Sequence, residues 1–349
     1  MALDGAAFSP KEFGLAIQTE GTIGTKLVSG MNRMNVDSVE MPSFNLTQVL
    51  EARSGSSGRL TDTEDVFIDD KGTVKEISFS GILDTVTASL LLPNVLTTAL
   101  DTSSNIITVP ITYSATELET GAASGIHKSF TVAILSPSTG SNRMMIFKGC
   151  VVSQLTITGD MTNESGRLRY SCTMRSGYKA EYNSTATVST DYGGTFYSLA
   201  SLAGAKTIAG AADSVIQSFS LNIENPAEFV GQSNTDGDPE AIVRSIPELA
   251  ITLDATVKYD DNTAGLMNTM QSKNVNSATN SLQMGTLLCT HATLLNSSTS
   301  FGFEAPHGQI TSVGFNEANA MMIDVSSKFV ANPKTAADTD NTTFFAIHI

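Results

Sequence analysis

Alternation with a period of two is the feature that most restricts this chain. In FKGCVVSQLTIT, residues 147–158, and in RLRYSCTMR, residues 167–175, apolar and polar side chains take turns. A run of this kind has a single apolar face only as a β-strand, so each predicts a strand with one face in a core and the other turned outward. In the second run Leu168, Tyr170, Cys172 and Met174 share the apolar face, while Arg167, Arg169 and Arg175 share the other. The longest case is ELAITLDATVKY, 248–259, where Leu249, Ile251, Leu253, Ala255, Val257 and Tyr259 alternate with Glu248, Thr252, Asp254, Thr256 and Lys258.

The same pattern predicts strands over 31–46, 73–81, 127–136, 218–225, 300–306, 308–316, 320–331 and the closing TFFAIHI. In 320–331 it groups Met321, Ile323, Val325 and Phe329. Two segments read as helices instead. Over 84–100, Val86, Leu90 and Leu91 recur at helical spacing before Pro93, which is expected to break or restart the helix, and 261–272 is the second. Polar, glycine-rich loops separate these elements at 51–65 and 226–247. Abundant Ser, Thr, Asn and Gly without tryptophan favour strands joined by turns, so the expected fold is mainly β.

The elements also recur in order. Strand 73–81 with helix 84–100 matches strand 248–259 with helix 261–272, and the hairpin of 147–158 and 167–175 matches 308–331. This order suggests an internal duplication, with a first unit over 1–205 and a second over 206–349, the polar and small-residue stretch 179–215 lying between them.

Charge narrows the function. With 20 Lys+Arg against 35 Asp+Glu the formal charge is −15, which opposes a groove that grips nucleic acid through its phosphates. A surface that lets DNA pass without sticking would want this sign. No apolar run reaches the roughly 20 residues needed to span a bilayer. MALDGAAFSPKEFG lacks the features of a secretory signal, so folding in a cytoplasm is expected, with Cys150, Cys172 and Cys289 as reduced core thiols.

Catalytic constellations are missing. His127, His291, His307 and His348 are scattered without metal-ligand spacing, and neither a nucleophile elbow nor a phosphate-binding glycine loop occurs. No catalytic residue, metal site or cofactor is therefore expected. In NTDGDPE, Asp236, Asp238 and Glu240 alternate around a glycine, but their phase misses that of a calcium loop, and a solvated acidic turn is the better reading. Tyr192, Phe196 and Tyr197 form the one local aromatic cluster of the kind a carbohydrate-binding module presents.

Several stretches resemble the tail tube proteins of long-tailed bacteriophages: EGTIGT, EISFSGILDTVTASLLLPNVL, SFSLNIEN with ITLDATVKYDDN across a long loop, and APHGQITSVGF with MMIDVSSKFVA. The resemblance implies two tandem β-sandwich units, each with a flanking α-helix and long polar loops. It implies a non-enzymatic virion protein, made and assembled in the host cytoplasm, whose rings stack into a hollow tube through which double-stranded DNA is ejected. The duplicated form implies trimeric, pseudo-hexameric rings, with rings of six longer subunits as the alternative. Further partners implied are the tape measure protein and tail terminator or tip proteins, and no membrane. Lumen-facing candidates are Glu224, Glu248 and Asp254. The arginine face of Arg167, Arg169 and Arg175, with Arg53 and Arg59 from the loop Gln48 to Asp65, is assigned to contacts between subunits or rings. That loop, the N-terminal arm and the loop Pro226 to Pro247 are the stacking candidates. A baseplate or capsid-decoration protein, or an adhesin module, are the alternatives.

Overall fold

A computed structural model describes residues 9–40, 47–50, 66–69, 74–111, 129–136, 144–163, 166–184, 187–188, 194–199, 208, 211, 214–231, 233, 238–244, 248–266, 287–288, 301–305, 308–316, 321–329 and 343–349. In chain order the elements of the first half are β1 (Gly14–Thr19), β2 (Asn32–Arg33), β3 (Ser38–Val39), β4 (Thr47–Leu50), β5 (Val66–Asp69), β6 (Lys75–Ile82), α1 (Thr85–Val95), β7 (Ile106–Pro110), β8 (Phe130–Leu135), β9 (Met144–Asp160), β10 (Arg169–Ser176) and β11 (Glu181–Ser184). Those of the second are β12 (Ile216–Glu224), β13 (Glu228–Val230), β14 (Ala241–Val243), β15 (Ala250–Lys258), β16 (Leu287–Leu288), β17 (Gly302–Ala305), β18 (Gly308–Asn316), β19 (Met322–Phe329) and β20 (Thr343–His348). The fold is mainly β, as the alternation predicts, and every strand pairing within these sheets is antiparallel.

Its backbone is one long sheet with eight strands in the order β3-β6-β10-β9-β12-β15-β19-β18. Numbered along the chain within each half, the order runs first, second, fourth, third, and then the same again. The period of two carries straight across it. Cys172, Leu155, Ile223 and Ile251 form one lateral row, all buried, and Ser171, Thr156, Asn222 and Thr252 form the adjacent row on the opposite face. The halves join where β9 pairs with β12, from Ser218 opposite Asp160 to Glu224 opposite Gln154.

Strand β9 has 17 residues and serves two layers. Its C-terminal part belongs to the long sheet, while its N-terminal part pairs with β8 and β11. Between them Gly149 takes a φ of +62°, a left-handed conformation that suits glycine, and β10 shifts register at Thr173/Met174. Strand β8, FTVAIL, is buried along nearly its whole length, which explains its continuous apolar run. A further sheet, β16-β17-β20-β7, takes its last strand from the first half of the sequence. The main hydrophobic core of the described residues runs from Leu15 and Ile17 through Leu155 and Ile251 to Phe345 and Ile347, with smaller clusters around Ala16 and Ile146 and around Val151 and Tyr178.

Some expectations change. The strand expected over 31–46 is two short pieces, β2 and β3, because the chain leaves β1 to pair with β6, and 41–46 lie outside the described residues. Gly81 permits that crossing, since a Cβ there would strike the Asn35 carbonyl oxygen. Pro93 does not break α1. The helix continues to Val95 and closes with Thr98 N–H on the Pro93 carbonyl and Thr97 N–H on that of Asn94, Thr97 adopting a φ of +52°. In the segment expected as a helix over 261–272, residues 261–265 are turns, Leu266 is helical, and 267–272 lie outside the described residues. Met321 and Tyr259, placed with the apolar faces, are exposed at strand ends, where the sheet no longer covers them. Cys150 and Cys172 are free and buried, and burial pushes both thiols up in pKa.

Candidate functional site

The polar face of the long sheet is broad and rich in hydroxyls and amides. Ser78, Ser171, Thr173, Gln154, Thr156, Thr158, Ser220, Asn222, Thr252 and Thr256 tile it, all standing opposite the buried rows. They bond to one another: Thr156 Oγ1 donates to Asn222 Oδ1 at 3.0 Å, and Gln154 Nε2 to the same oxygen at 3.1 Å. Carboxylates of Glu76, Asp160, Glu224, Asp254 and Asp324 share the face with Arg169, Arg175, Lys258 and Lys328. The acidic excess of the chain is thus not concentrated here.

Of the lumen candidates, Glu224 and Asp254 lie on this face and are exposed. Glu224 accepts from Asn222 Nδ2 at 2.8 Å. Glu248 is exposed but precedes β15, which begins at Ala250. Arg169 and Arg175 share the face with these acids, and both have acidic partners inside the chain: Arg169 pairs with Asp37, and Arg175 Nε lies 3.1 Å from Glu76. Pairing of such exposed groups contributes little stability. Arg167 stands at the sheet's end, its guanidinium 5.7 Å from the centre of the exposed Phe196 ring. Arg53 and Arg59 lie outside the described residues, as do Asp236 and Tyr192. Tyr197 turns away from Phe196 into the core, 5.5 Å from Phe301, so these two rings do not form a common exposed platform.

Two candidate stacking segments are anchored within the chain. Glu20 of EGTIGT is 4% exposed, and its carboxylate accepts four hydrogen bonds: from Gly24 N and Ser129 Oγ on Oε2, and from Thr131 Oγ1 and Gly149 N on Oε1. In the loop Pro226 to Pro247, β13 and β14 form a hairpin laid on the first half. Phe229 packs edge-on against Tyr178, and Asp238 pairs with Lys148 at 2.6 Å, which occupies one of the three carboxylates of the acidic turn. Arg244 donates to the carbonyls of Asn94 and Val152, and Asn225 Nδ2 donates to Val95 O at 2.6 Å. Two second-half side chains thereby satisfy carbonyls at the C-terminus of α1. Burial pulls the Arg244 pKa down to about 9.

Exposed large apolar side chains gather at the ends of the strands. Val215, Tyr259, Phe315 and Met321 flank the joined ends of β12, β15, β18 and β19, with Tyr259 and Phe315 stacked edge-on at 5.6 Å. Met161 and Phe196 occupy the same end of the first half. The opposite end presents Val74, Val230 and Val243. Period-two reading could not find this set, because it sorts faces and not ends.

Among the described residues no helix is long and apolar enough to cross a membrane. A family model described as phage tail tube protein matches residues 15–342. No curated protein matches the chain.

Proposed function

The chain belongs to the phage tail tube family, and we propose from this premise that it forms trimeric rings of duplicated units, stacked into the tube through which DNA is ejected. As a family member it is a structural protein of the virion tail that assembles with itself into a tube. The observation that carries the finer reading is the eight-strand sheet whose strand order repeats once, with one face in the core and the other polar. Each half then counts as one sixth of a ring, and three copies close a barrel of 24 strands. At about 4.8 Å between strands tilted near 40°, such a barrel is roughly 50 Å across its backbone, which leaves an open channel.

The polar face lines that channel. Passing DNA meets hydroxyls and amides that water already satisfies, and charges of both signs that cancel within a Debye length of about 8 Å. Glu224, Glu248 and Asp254 add local repulsion without a basic patch to hold phosphate. Successive rings stack through the apolar strand ends, Val215, Tyr259, Phe315 and Met321 meeting the opposite end of the ring above, with the loops Gln48 to Asp65 and Pro226 to Pro247 reaching across. Assembly takes place in the host cytoplasm, and the tube ends meet the terminator and tip proteins while the lumen holds the tape measure protein.

Electron microscopy of the purified protein tests the reading. Rings or tubes with a central hole, and three chains per ring, are the expected result; compact monomers under all assembly conditions would refute it. For the lining, reversing the charge at Glu224, Glu248 and Asp254 should leave folding intact and slow DNA release. Normal infectivity and ejection rate in that variant would remove these residues from the lumen.

A further inference from the structure

Between its own halves the chain contains a junction of two strands, β9 and β12, whose positions in the four-strand repeat are also those of its two outer edges. Position for position in the sheet, β12 stands where β3 stands, and β18 stands where β9 stands. The register makes the match specific. Asn222 and Ile223 lie opposite Thr252 and Ile251 on β15, as Ser38 and Val39 lie opposite Ser80 and Phe79 on β6. The sequence carries the same superposition: Val39-Glu40-Met41-Pro42 against Ile223-Glu224-Asn225-Pro226, alike at the β-branched residue, the glutamate and the proline. On the other side, Thr156 and Leu155 face Ser171 and Cys172 on β10, as Gln309 and Gly308 face Lys328 and Phe329 on β19.

Among the described residues β18 pairs with β19 alone and β3 with β6 alone. Strand β18, GQITSVGFN, is a nine-residue edge with no lysine, proline or charge, and it is exposed at Thr311, Ser312, Gly314 and Phe315. An unguarded edge of this length invites another strand, and natural proteins that must stay monomeric blunt it. Strand direction also fits, since β9 and β12 are antiparallel and the four-strand repeat keeps β18 and a following β3 antiparallel as well.

We infer that β18 of one copy pairs with the β3 segment of the next in the register inherited from β9 and β12, with Ser38 opposite Gln309 and Val39 opposite Gly308. These correspond to Asn222 opposite Thr156 and Ile223 opposite Leu155 in the chain's own junction. The occupant is a second copy of this chain, joined head to tail, so the contact closes a ring instead of pairing two like edges. Val39, half-buried against the core in the isolated chain, becomes covered, while Ser38 joins the hydroxyl-bearing face. This inference rests on the ring reading above and adds to it the edge, the partner strand and the register.

A cysteine pair tests it. In the double variant Ser38→Cys/Gln309→Cys, oxidation of assembled protein should link chains covalently up to the closed ring and no further. Ser38→Cys/Ser312→Cys, two rows out of register, should remain unlinked. The in-chain pair Thr156→Cys/Asn222→Cys, whose native side chains touch at 3.0 Å, serves as the positive control and should bridge within one chain. Should the double variant fail to fold, mixing the two single variants must still give a linked dimer that stops at two. Rings by microscopy with no Ser38–Gln309 link, or with the Ser312 link preferred, would overturn the register and leave the tube reading standing. Absence of rings from the unaltered protein would overturn both.

Discussion

Replacing Glu20 with glutamine is the sharpest probe of how the outer layer is held. The carboxylate is buried and accepts from Gly24 N at 2.8 Å and Ser129 Oγ at 2.5 Å on one oxygen, and from Thr131 Oγ1 at 2.8 Å and Gly149 N at 2.9 Å on the other. Each oxygen therefore faces one backbone N–H that cannot turn away. A glutamine amide puts an N–H₂ donor against one of them in either orientation, whereas the hydroxyl beside it can rotate to accept. One buried backbone N–H is left unsatisfied, at about 1–3 kcal/mol, and the two bonds to the remaining oxygen weaken by about 1 kcal/mol each as the acceptor loses its charge. Removing a buried charge offsets part of this, leaving a net loss of about 3 kcal/mol. Urea unfolding of the unassembled subunit should show it as a midpoint lowered by up to about 1 M at unchanged slope, since a chain of this size has a slope of roughly 3 kcal/mol/M or more. A stability within about 0.5 kcal/mol of the parent chain would refute the argument, because surface substitutions alone reach that range.

Three further outcomes follow from the same structure. Gly149→Ala forces a left-handed φ of +62° on a residue whose new Cβ would overlap the Tyr178 ring, so it should cost about 2–4 kcal/mol; in a Tyr178→Ala background only the backbone part, about 1–2 kcal/mol, should persist. Arg244→Ala removes one donor from each of two carbonyls, that of Asn94 keeping the Thr97 N–H, and loosens the β13–β14 hairpin, which predicts a loss of about 1–3 kcal/mol and new cleavage by protease within 228–243. Asp84, the N-cap of α1, accepts from Thr87 N at 2.7 Å, yet burial raises its pKa. A raised folded pKa means that its contribution is complete below the unfolded value of 3.8 and is lost as pH rises through the folded value. Asp84→Asn keeps the cap without titrating, so the parent chain should lose stability relative to this variant between pH 4 and neutrality, and parallel pH profiles would refute it.

Much of this fold is legible along the chain because a strand's side-chain period is a local property. Ile251, Leu253, Ala255 and Val257 announce their face in the sequence and are buried together in the structure. Element order is legible for the same reason. By contrast, the chain position of β9 says nothing of its standing beside both β10 and β12, or of its serving a second layer through Gly149. Those pairings join residues far apart in sequence, and many strand orders satisfy the same alternation.

The same division separates charge from its use. Composition determines that the chain is acidic, with 20 Lys+Arg against 35 Asp+Glu. Only the tertiary structure decides that Arg169 meets Asp37, that Arg175 meets Glu76, and that both arginines share a face with Glu224 and Asp254. It alone shows that an uncharged β18 is left at one edge and β3 at the other. The physical reason is range: alternation is set by neighbouring dihedrals, whereas edges, ends and charge partners exist only once distant strands have paired.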